Sequence, residues 1–244
     1  MDVYEEMAEF YDLIYSDAYD LQFYLNEAKK ANGTVLEVAC GTGRIYLELL
    51  KQNIDITGID LSQKMLNVLL KKAKNLGLEP KISKGDMRNV NLKKKFKLIF
   101  LPYRSFLHML TDEDRKTALK NFKKHLDSGG KLILHTYNPS KYELELTKGF
   151  HHLEAEQLKA PDGSSYQLDW YLDYDDQKKI AHYKIEITHK NNEKNAFEMD
   201  ISHISTEQMN SLLKECGFKE IKTYCGFDYG FVDANCKELI WIAK

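Results

Sequence analysis

The sequence lacks a long apolar run: no stretch approaches the roughly 18 consecutive apolar residues that a membrane-spanning helix needs. The N-terminal segment MDVYEEMAEF is acidic and has no continuous apolar core, which excludes a signal peptide. Excess positive charge is also missing, since 35 lysines and arginines face 37 aspartates and glutamates, for a formal net charge of −2. A broad nucleic-acid surface needs a basic field, so we expect neither a membrane nor a nucleic acid as a partner.

Cysteine is sparse and irregularly spaced. The four cysteines are Cys40, Cys216, Cys225 and Cys236, and none forms a C-x-x-C pair. This argues against a zinc knuckle and against a dithiol redox motif. We therefore expect no metal site, a cytoplasmic location and reduced thiols.

The chain does have enough apolar residues for one good-sized core, with 244 residues of which 43% are hydrophobic. Apolar runs predict strands at residues 35–38, 55–59, 80–83, 97–101, 131–137, 218–224 and 239–242. Helical patterns lie between them at residues 45–50, 63–75 and 111–126 and after Ser205, with Ser62, Thr111 and Ser205 as N-caps and a turn at 128–130. This alternation predicts an α/β, Rossmann-like, doubly wound and mostly parallel sheet.

Residues 138–203 break this rhythm and alternate with period two. Apolar and aromatic side chains alternate with polar ones over residues 166–174, and residues 181–187 and 197–201 repeat the pattern after short polar turns. Such runs predict an antiparallel β-meander with one apolar face. We expect this inserted subdomain to lie over the ligand cleft of a core formed by residues 1–137 and 204–244.

The stretch VLEVACGTGRI, residues 35–45, joins a strand to a helix through a glycine loop. A dinucleotide fingerprint would need a third glycine where this sequence has Tyr46. Glu37, just upstream, does not suit a pyrophosphate. Asp60 ends the next strand and is positioned to accept hydrogen bonds from both ribose hydroxyls. NAD sites use an acid in the same way, so Asp60 alone does not distinguish the two kinds of ligand. After the third strand, Asp86 and Met87 suit the amino group and the ring of adenine.

Three segments in this order, EVACGTGR (residues 37–44), GIDLS (58–62) and GDM (85–87), resemble the motifs of the class I S-adenosylmethionine-dependent methyltransferases. The resemblance implies a seven-stranded sheet whose last strand is antiparallel, and S-adenosylmethionine as the cofactor. It implies cofactor contacts from Glu37, Ala39, Gly41, Gly43, Asp60, Leu61, Asp86, Met87 and Leu101.

The segment LPYRSFLHM, residues 101–109, follows the fourth strand, whose end faces the transferred methyl group in this family. Ser105 and His108 are similar to the S-x-x-H-L segment of small-molecule N-methyltransferases that act on amino sugars, with Met109 in place of leucine. We predict that His108 accepts a proton or orients the substrate. The alternative is a structural histidine whose ring satisfies a loop carbonyl.

Residues 1–31 are predicted to form lid helices. Tyr11 opens a Y-D-x-x-Y pattern that resembles the lid of small-molecule methyltransferases, where a tyrosine approaches the methyl group. A helical apolar stripe containing Tyr4 is an equal alternative for this segment. Arg104 is expected to pair with an acidic group of the substrate, with Asp112 or with Asp114. The candidate substrate residues are Tyr15, Tyr103, Arg104, Tyr137 and Trp170.

These observations predict methyl transfer from S-adenosylmethionine to a small-molecule acceptor, an amine rather than a hydroxyl, by a monomer or homodimer. Three alternatives stay open. A tRNA-modifying methyltransferase would need a basic stripe where the insertion carries Asp169, Asp173, Asp175 and Asp176. The others are a nicotinamide-dependent reductase and a non-catalytic protein that binds S-adenosylmethionine.

Overall fold

The computed structural model describes residues 3–139, 141–146 and 148–244, and these residues form two β-sheets. The strands of the larger sheet are β1 (Val35–Val38), β2 (Ile56–Asp60), β3 (Lys81–Lys84), β4 (Phe96–Leu101), β5 (Leu126–Tyr137), β10 (Ile221–Cys225) and β11 (Glu238–Ala243). Those of the smaller sheet are β6 (His151–Lys159), β7 (Ser165–Asp175), β8 (Ile180–His189) and β9 (Lys194–Ser202).

The helices are α1 (Val3–Met7), α2 (Tyr11–Ile14), α3 (Leu21–Ala31), α4 (Tyr46–Lys51), α5 (Gln63–Asn75), α6 (Asp112–His125), α7 (Lys141–Leu144) and α8 (Thr206–Glu215), with a 3₁₀ turn at Ser105–His108. The three predicted N-caps are confirmed. The hydroxyls of Ser62, Thr111 and Ser205 accept a hydrogen bond from the backbone N–H three residues on, over 3.1–3.2 Å. Each cap thereby satisfies one of the donors left open at a helix start.

The larger sheet has the strand order β10-β11-β5-β4-β1-β2-β3. Its strands run parallel except β11, which pairs antiparallel with both β5 and β10. The predicted doubly wound sheet with an antiparallel last strand is therefore confirmed. The strand order reverses at β1, between β4 and β2, and ligands of such sheets bind at the carboxyl ends of the strands next to this reversal.

Helices cover both faces of the larger sheet, which is why its central strands read as unbroken apolar runs. Leu36 and Val38 of β1 pack with α6 and α8, whereas Val35 packs on the opposite face with α3, α4 and α5. All four residues of β1 are buried. This packing leaves the carboxyl ends of β1, β2 and β4 as the place where polar groups meet.

The smaller sheet confirms the predicted meander and adds a strand that periodicity missed. Leu168, Ile185 and Phe197 on its apolar face pack against Met7 and Ile14 of the N-terminal helices. Strand β6 was not predicted because it lies at the sheet edge and most of its residues are exposed, so that it carries no apolar alternation. The N-terminal helices thus lie between the meander and the larger sheet.

Strand β5 begins earlier than predicted. The turn expected at residues 128–130 lies inside the strand as an irregularity, since the pairing register with β4 shifts between Phe96 and Leu98. Gly129 has φ +70°, a conformation that glycine adopts without penalty. A glycine pair therefore marks a break in the ladder here rather than the end of the element.

The expectation of reduced thiols is wrong for one pair of cysteines. Cys225, at the end of β10, and Cys236, two residues before β11, form a disulfide with their Cα atoms 5.6 Å apart. The connection between these antiparallel strands folds back and brings together two cysteines eleven positions apart, a spacing that matches no short motif. Cys40 and Cys216 are free and buried.

Among the residues that the structure describes, no helix has both the length and the apolarity to cross a membrane.

Substitutions in the glycine loop test how tightly it packs against α4 and α5. A Cβ at Gly43 (φ +85°) would lie 2.8 Å from Leu69 and 3.0 Å from Leu47, whereas a Cβ at Gly41 (φ +52°) would meet nothing within 4 Å. We expect Gly41→Ala to cost about 1–2 kcal/mol through backbone strain alone. Gly43→Ala should cost about 1–3 kcal/mol more through overpacking. Urea unfolding of both variants measures this difference, and equal free energies of unfolding would contradict the packing argument.

Candidate active site

The glycine loop is held by a carboxylate from the neighbouring strand. Asp60, at the end of β2, accepts hydrogen bonds from the backbone N–H of Gly41 (2.7 Å) and of Ser62 (2.8 Å). Ala39 and Gly41 have φ of +58° and +52°, so the chain makes a tight left-handed turn directly after β1. The Asp60 bonds fix this turn to the start of α5.

Glu37 is buried in β1 beneath the loop, with 1% of its surface exposed. Its Oε2 has no hydrogen-bond partner among the described residues. Burial raises the pKa of Glu37 well above its usual range, although the charge of Arg44 opposes this shift. A buried carboxyl oxygen without a partner is costly, and the donors that satisfy it best are cationic. The group therefore suits an ammonium that enters the cleft.

The N-terminal segment is fastened over the loop by polar contacts. The hydroxyl of Thr42 donates to Asp12 (2.5 Å), and the ammonium of Lys72 lies 2.8 Å from the same carboxylate. Arg44 makes a bidentate pair with Asp20, at 2.5 and 2.7 Å. Asp20 is fully buried, so this pair is shielded from solvent.

A cavity of about 20 Å³ remains between the loop, the N-terminal segment and the end of β4. It is lined by Tyr11, Glu37, Ala39, Cys40, Gly41, Thr42, Arg44, Ile45, Pro102, Tyr103 and Ser105. The N-terminal segment forms one wall of this cavity through Tyr11, beside the contact of Asp12 with Thr42.

The remaining candidate cofactor residues lie along the same edge of the sheet. Leu61 follows β2 and is 51% exposed, Leu101 is buried at the end of β4, and Met87 packs against the core. Asp86 forms an ion pair with Arg88, whose Nη2 lies 2.6 Å from Oδ2 of Asp86. The hydrogen bonds from Arg88 lower the pKa of Asp86, so this carboxylate is ionised and already has a cationic partner.

His108 and Tyr4 form a hydrogen-bonded pair, with the Tyr4 oxygen 2.7 Å from Nε2. Burial lowers the pKa of His108 to about 4, and a hydrogen bond to the backbone of Asp200 only partly offsets this effect. The imidazole is therefore neutral near pH 7. With the ring proton on Nδ1, Nε2 accepts from the Tyr4 hydroxyl, whose oxygen also lies 3.8 Å from Sδ of Met199.

The sequence pattern predicts Tyr11 as the lid tyrosine and places Tyr4 in the alternative apolar stripe. In the structure, the Tyr4 hydroxyl contacts His108 directly. The ring of Tyr11 packs against the ring of Tyr4, with their centroids 6.1 Å apart. Both tyrosines lie in helices of only four or five residues. Such short helices give no reliable periodicity, so only the position of a hydroxyl next to the histidine identifies Tyr4.

Aromatic rings extend from this pair toward the meander. Tyr15 contacts Tyr11, Tyr103 and Trp170, with centroid separations of 4.8, 5.1 and 6.0 Å. Trp170 in turn contacts Tyr183 of β8 at 6.4 Å. The structure thus brings together three of the predicted substrate residues, Tyr15, Tyr103 and Trp170, and adds Tyr183, which the sequence had not singled out.

Arg104 has a different partner from those expected. Its guanidinium pairs with Glu238 of β11 and lies 4.2 Å from the centroid of the Tyr137 ring. His135 Nε2 is 2.5 Å from the same carboxylate. Burial raises the pKa of Glu238, but the hydrogen bonds from His135 and Arg104 outweigh it and bring this pKa to about 2.

The two aspartates proposed as partners of Arg104 are bound elsewhere, so that interpretation is wrong. Asp112 pairs with Arg115 at 2.5 Å, and Asp114 pairs with Arg88 at 2.9 Å. Both belong to the first turn of α6, where they also complement the helix dipole. Glu238 is more than 130 positions away from Arg104, which is why local spacing could not identify it.

Comparison with known proteins identifies the family. A family model described as a methyltransferase domain matches residues 35–130. An uncharacterized methyltransferase of Geobacillus sp. (strain WCH70) is 30% identical over 161 residues, which cover 62% of this chain and 74% of that protein. The chain belongs to the S-adenosylmethionine-dependent methyltransferases. Its cofactor is S-adenosylmethionine, and a nicotinamide-dependent reductase is no longer an alternative.

Other similar proteins have named activities. A dTDP-3-amino-3,4,6-trideoxy-alpha-D-glucopyranose N,N-dimethyltransferase of Streptomyces venezuelae is 29% identical over 135 residues, so the match spans 52% of this methyltransferase and about half, 55%, of that relative. A glycine/sarcosine N-methyltransferase of Aphanothece halophytica is 24% identical over 226 residues, which cover 91% and 80% of the two chains. The crystal structure of an S-adenosylmethionine-dependent methyltransferase from Clostridium acetobutylicum has the same fold, with a TM-score of 0.81 at 22% identity over 100% and 99% of the chains.

The burial of His108 predicts a pH dependence of stability. Its folded-state pKa of about 4 lies below the ordinary value of 6.5, so only the unfolded chain binds a proton there between these pH values. The wild type therefore loses stability as the pH falls through this window. We expect the stability advantage of the wild type over His108→Asn to be smaller at pH 5 than at pH 7.5. Urea unfolding at both pH values measures it, and a constant difference would show that His108 is not held neutral.

Proposed function

We propose that this methyltransferase methylates the amino group of a small-molecule acceptor. The observation that carries the proposal is the neutral His108 imidazole, hydrogen-bonded to Tyr4 beside a chain of aromatic rings at the carboxyl end of β4. An acceptor amine loses a proton during methylation, and a neutral imidazole, unlike an imidazolium, has a ring nitrogen with a free lone pair that can accept one. Both relatives with named activities methylate nitrogen. The formal net charge of −2 disfavours the tRNA alternative.

The cofactor would be held by this chain's own polar groups. Glu37, whose buried Oε2 has no partner among the described residues, would bind the ammonium of the methionine moiety. Asp60 would accept from the ribose hydroxyls, and Asp86 would accept from the adenine amino group beside Leu61 and Met87. A Cβ at Gly41 would meet no described atom within 4 Å, so the turn leaves open space beside it in which the methionine moiety would lie.

When bound, S-adenosylmethionine would supply a methyl group carried on a sulfonium sulfur. The acceptor nitrogen would form the new N–C bond as the C–S bond breaks, and the sulfur would keep the electron pair. Tyr4 and His108 would then accept the proton that the new ammonium loses. The Tyr4 oxygen would accept it while its own proton passes to Nε2 of His108, 2.7 Å away. Acid–base help of this kind is worth about 10²–10⁴-fold in rate.

Closure of the N-terminal segment would exclude water and align the acceptor. Tyr4, Tyr11 and Tyr15 all belong to this segment, so its return over the glycine loop would complete the aromatic wall. Positioning of this kind contributes about 7–11 kcal/mol to catalysis of a reaction between two bound molecules. The contact of Asp12 with Thr42 would secure the closed form.

The proton pathway predicts matched effects of two substitutions. Tyr4→Phe and His108→Asn should each lower kcat about 10²-fold or more, because each removes one step of proton transfer. The double variant should be no slower than the worse single variant, since the two residues act as a unit. Release of S-adenosylhomocysteine with a panel of amines and amino sugars measures kcat. Tyr11→Phe is the control and should change kcat less, whereas unchanged kcat in both test variants would remove Tyr4 and His108 from the proton pathway.

The buried carboxyl of Glu37 predicts that its replacement weakens cofactor binding and raises the stability of the ligand-free protein. Glu37→Gln should weaken binding of S-adenosylhomocysteine about tenfold or more, since hydrogen bonds to charged groups contribute about 1.5–3 kcal/mol. The ligand-free protein should become more stable, because the buried carboxyl is disfavoured in the fold. Calorimetric titration and urea unfolding measure the two effects. The matched control is Glu48→Gln on the exposed face of α4, and unchanged binding in Glu37→Gln would remove Glu37 from the site.

A further inference from the structure

The arginines that reach the cleft already have carboxylate partners within the chain. Arg44 is held in a bidentate pair by Asp20, and Arg104 is held by Glu238, which also accepts from His135. An acidic substrate group that approached either guanidinium would have to displace a carboxylate of the protein. The displaced carboxylate would then be left desolvated without its cation, which is strongly unfavourable.

Strained backbone holds Arg104 in this arrangement. Tyr103 and Arg104 have φ of +54° and +63°, a left-handed conformation that costs side-chain-bearing residues free energy. The turn directs the guanidinium between the Tyr137 ring and Glu238. Glu238 and Tyr137 are directly paired residues of β11 and β5, so the cation lies over one pair of the antiparallel ladder. Arg104 is thus built into the sheet edge and is not presented to the cleft as a free cation.

Beside the Tyr137 ring, which Arg104 contacts, the structure places a further carboxylate and further aromatic rings. A second cavity of about 20 Å³ lies between the end of β5 and the meander, lined in part by Tyr137, Glu143, Tyr174 and Tyr183. The carboxylate of Glu143 accepts from the hydroxyl of Tyr137 at 2.5 Å and from that of Tyr183 at 3.5 Å. Carboxylates repel anions, and aromatic ring faces attract cations.

We infer that the acceptor is an amine without a carboxylate or phosphate beside its amino group, and that the cleft discriminates against amino acids and phosphorylated amines. This rests on the proposed function, because it describes the acceptor side of the same cleft. Arg104 with Glu238 leaves no net charge to attract an anion, and Glu143 repels one. The aromatic wall of Tyr15, Trp170 and Tyr183 favours an acceptor with an apolar or hydroxylated body.

Pairs of amines that differ by one acidic group test the inference. Suitable pairs are tyramine with tyrosine, ethanolamine with serine, and ethanolamine with O-phosphoethanolamine. Binding of each to the complex of the enzyme with S-adenosylhomocysteine is measured by calorimetry, and methyl transfer is measured in parallel. We expect the member without the acidic group to bind at least tenfold more tightly.

Equal or tighter binding of the acidic members would overturn the inference, as would failure of every non-acidic member to bind. The two readouts separate this outcome from failure of the proposed function. Methyl transfer confined to acidic amines would leave the function standing and reject the inference. Selective binding of the non-acidic members without any methyl transfer would reject the proposed function and leave the binding preference of the cleft standing.

Two variants test the assigned residues independently. Glu238→Gln keeps the shape of the side chain but leaves the Arg104 charge without its counterion, so it should reduce the preference for the non-acidic member about tenfold. Glu143→Gln, on the short helix α7, should reduce it in the same direction while keeping the Arg104 pair intact, and it covers the case that Glu238→Gln does not fold. The control is Glu220→Gln, an exposed carboxylate next to β10 that pairs with Lys244. An unchanged preference in both test variants would reject the assignment.

Discussion

The hydrogen bonds that Asp60 accepts from Gly41 and Ser62 are the contact on which the site depends. They join the end of β1 to the end of β2 and fix the left-handed turn between β1 and α4. The turn keeps the loop close to the sheet and leaves Glu37 buried beneath it, with one carboxyl oxygen that no described residue contacts by a hydrogen bond. A different loop conformation would cover Glu37 or expose it to water, and its preference for a cation would be lost.

Access to this site is governed by the N-terminal segment, because Asp12 and Asp20 tie it to the loop while Met7 and Ile14 pack on the meander. The segment is made of very short helices, which are not stable alone and order only through these contacts. Under the proposed function, the same residues would close the cofactor site and would supply the tyrosines of the acceptor site. Binding of the cofactor would then be physically coupled to assembly of the acceptor site.

The sequence predicts the sheet, the N-caps and the glycine loop well because each depends on neighbours within a few residues. Ser62 and Gly41 act within their own turn, and periodicity identifies buried strands on both sides of them. It fails for contacts set by tertiary packing: the Tyr4–His108 pair, the Cys225–Cys236 disulfide and strand β6 each depend on segments far apart in the chain or on an exposed edge. Arg104 is the clearest case, since spacing pointed to nearby aspartates and the fold supplied Glu238.

The pairing of Glu238 also shows how strand register sets the chemistry of the cleft. Because β11 runs antiparallel to β5, its first residue lies opposite the last residue of β5, Tyr137, at the carboxyl edge where the acceptor would enter. A shift of one residue would turn the Glu238 side chain to the other face of the sheet and leave Arg104 uncompensated. An uncompensated guanidinium there would attract carboxylates, so the register of an ordinary sheet pairing determines whether the cleft favours acidic acceptors or excludes them.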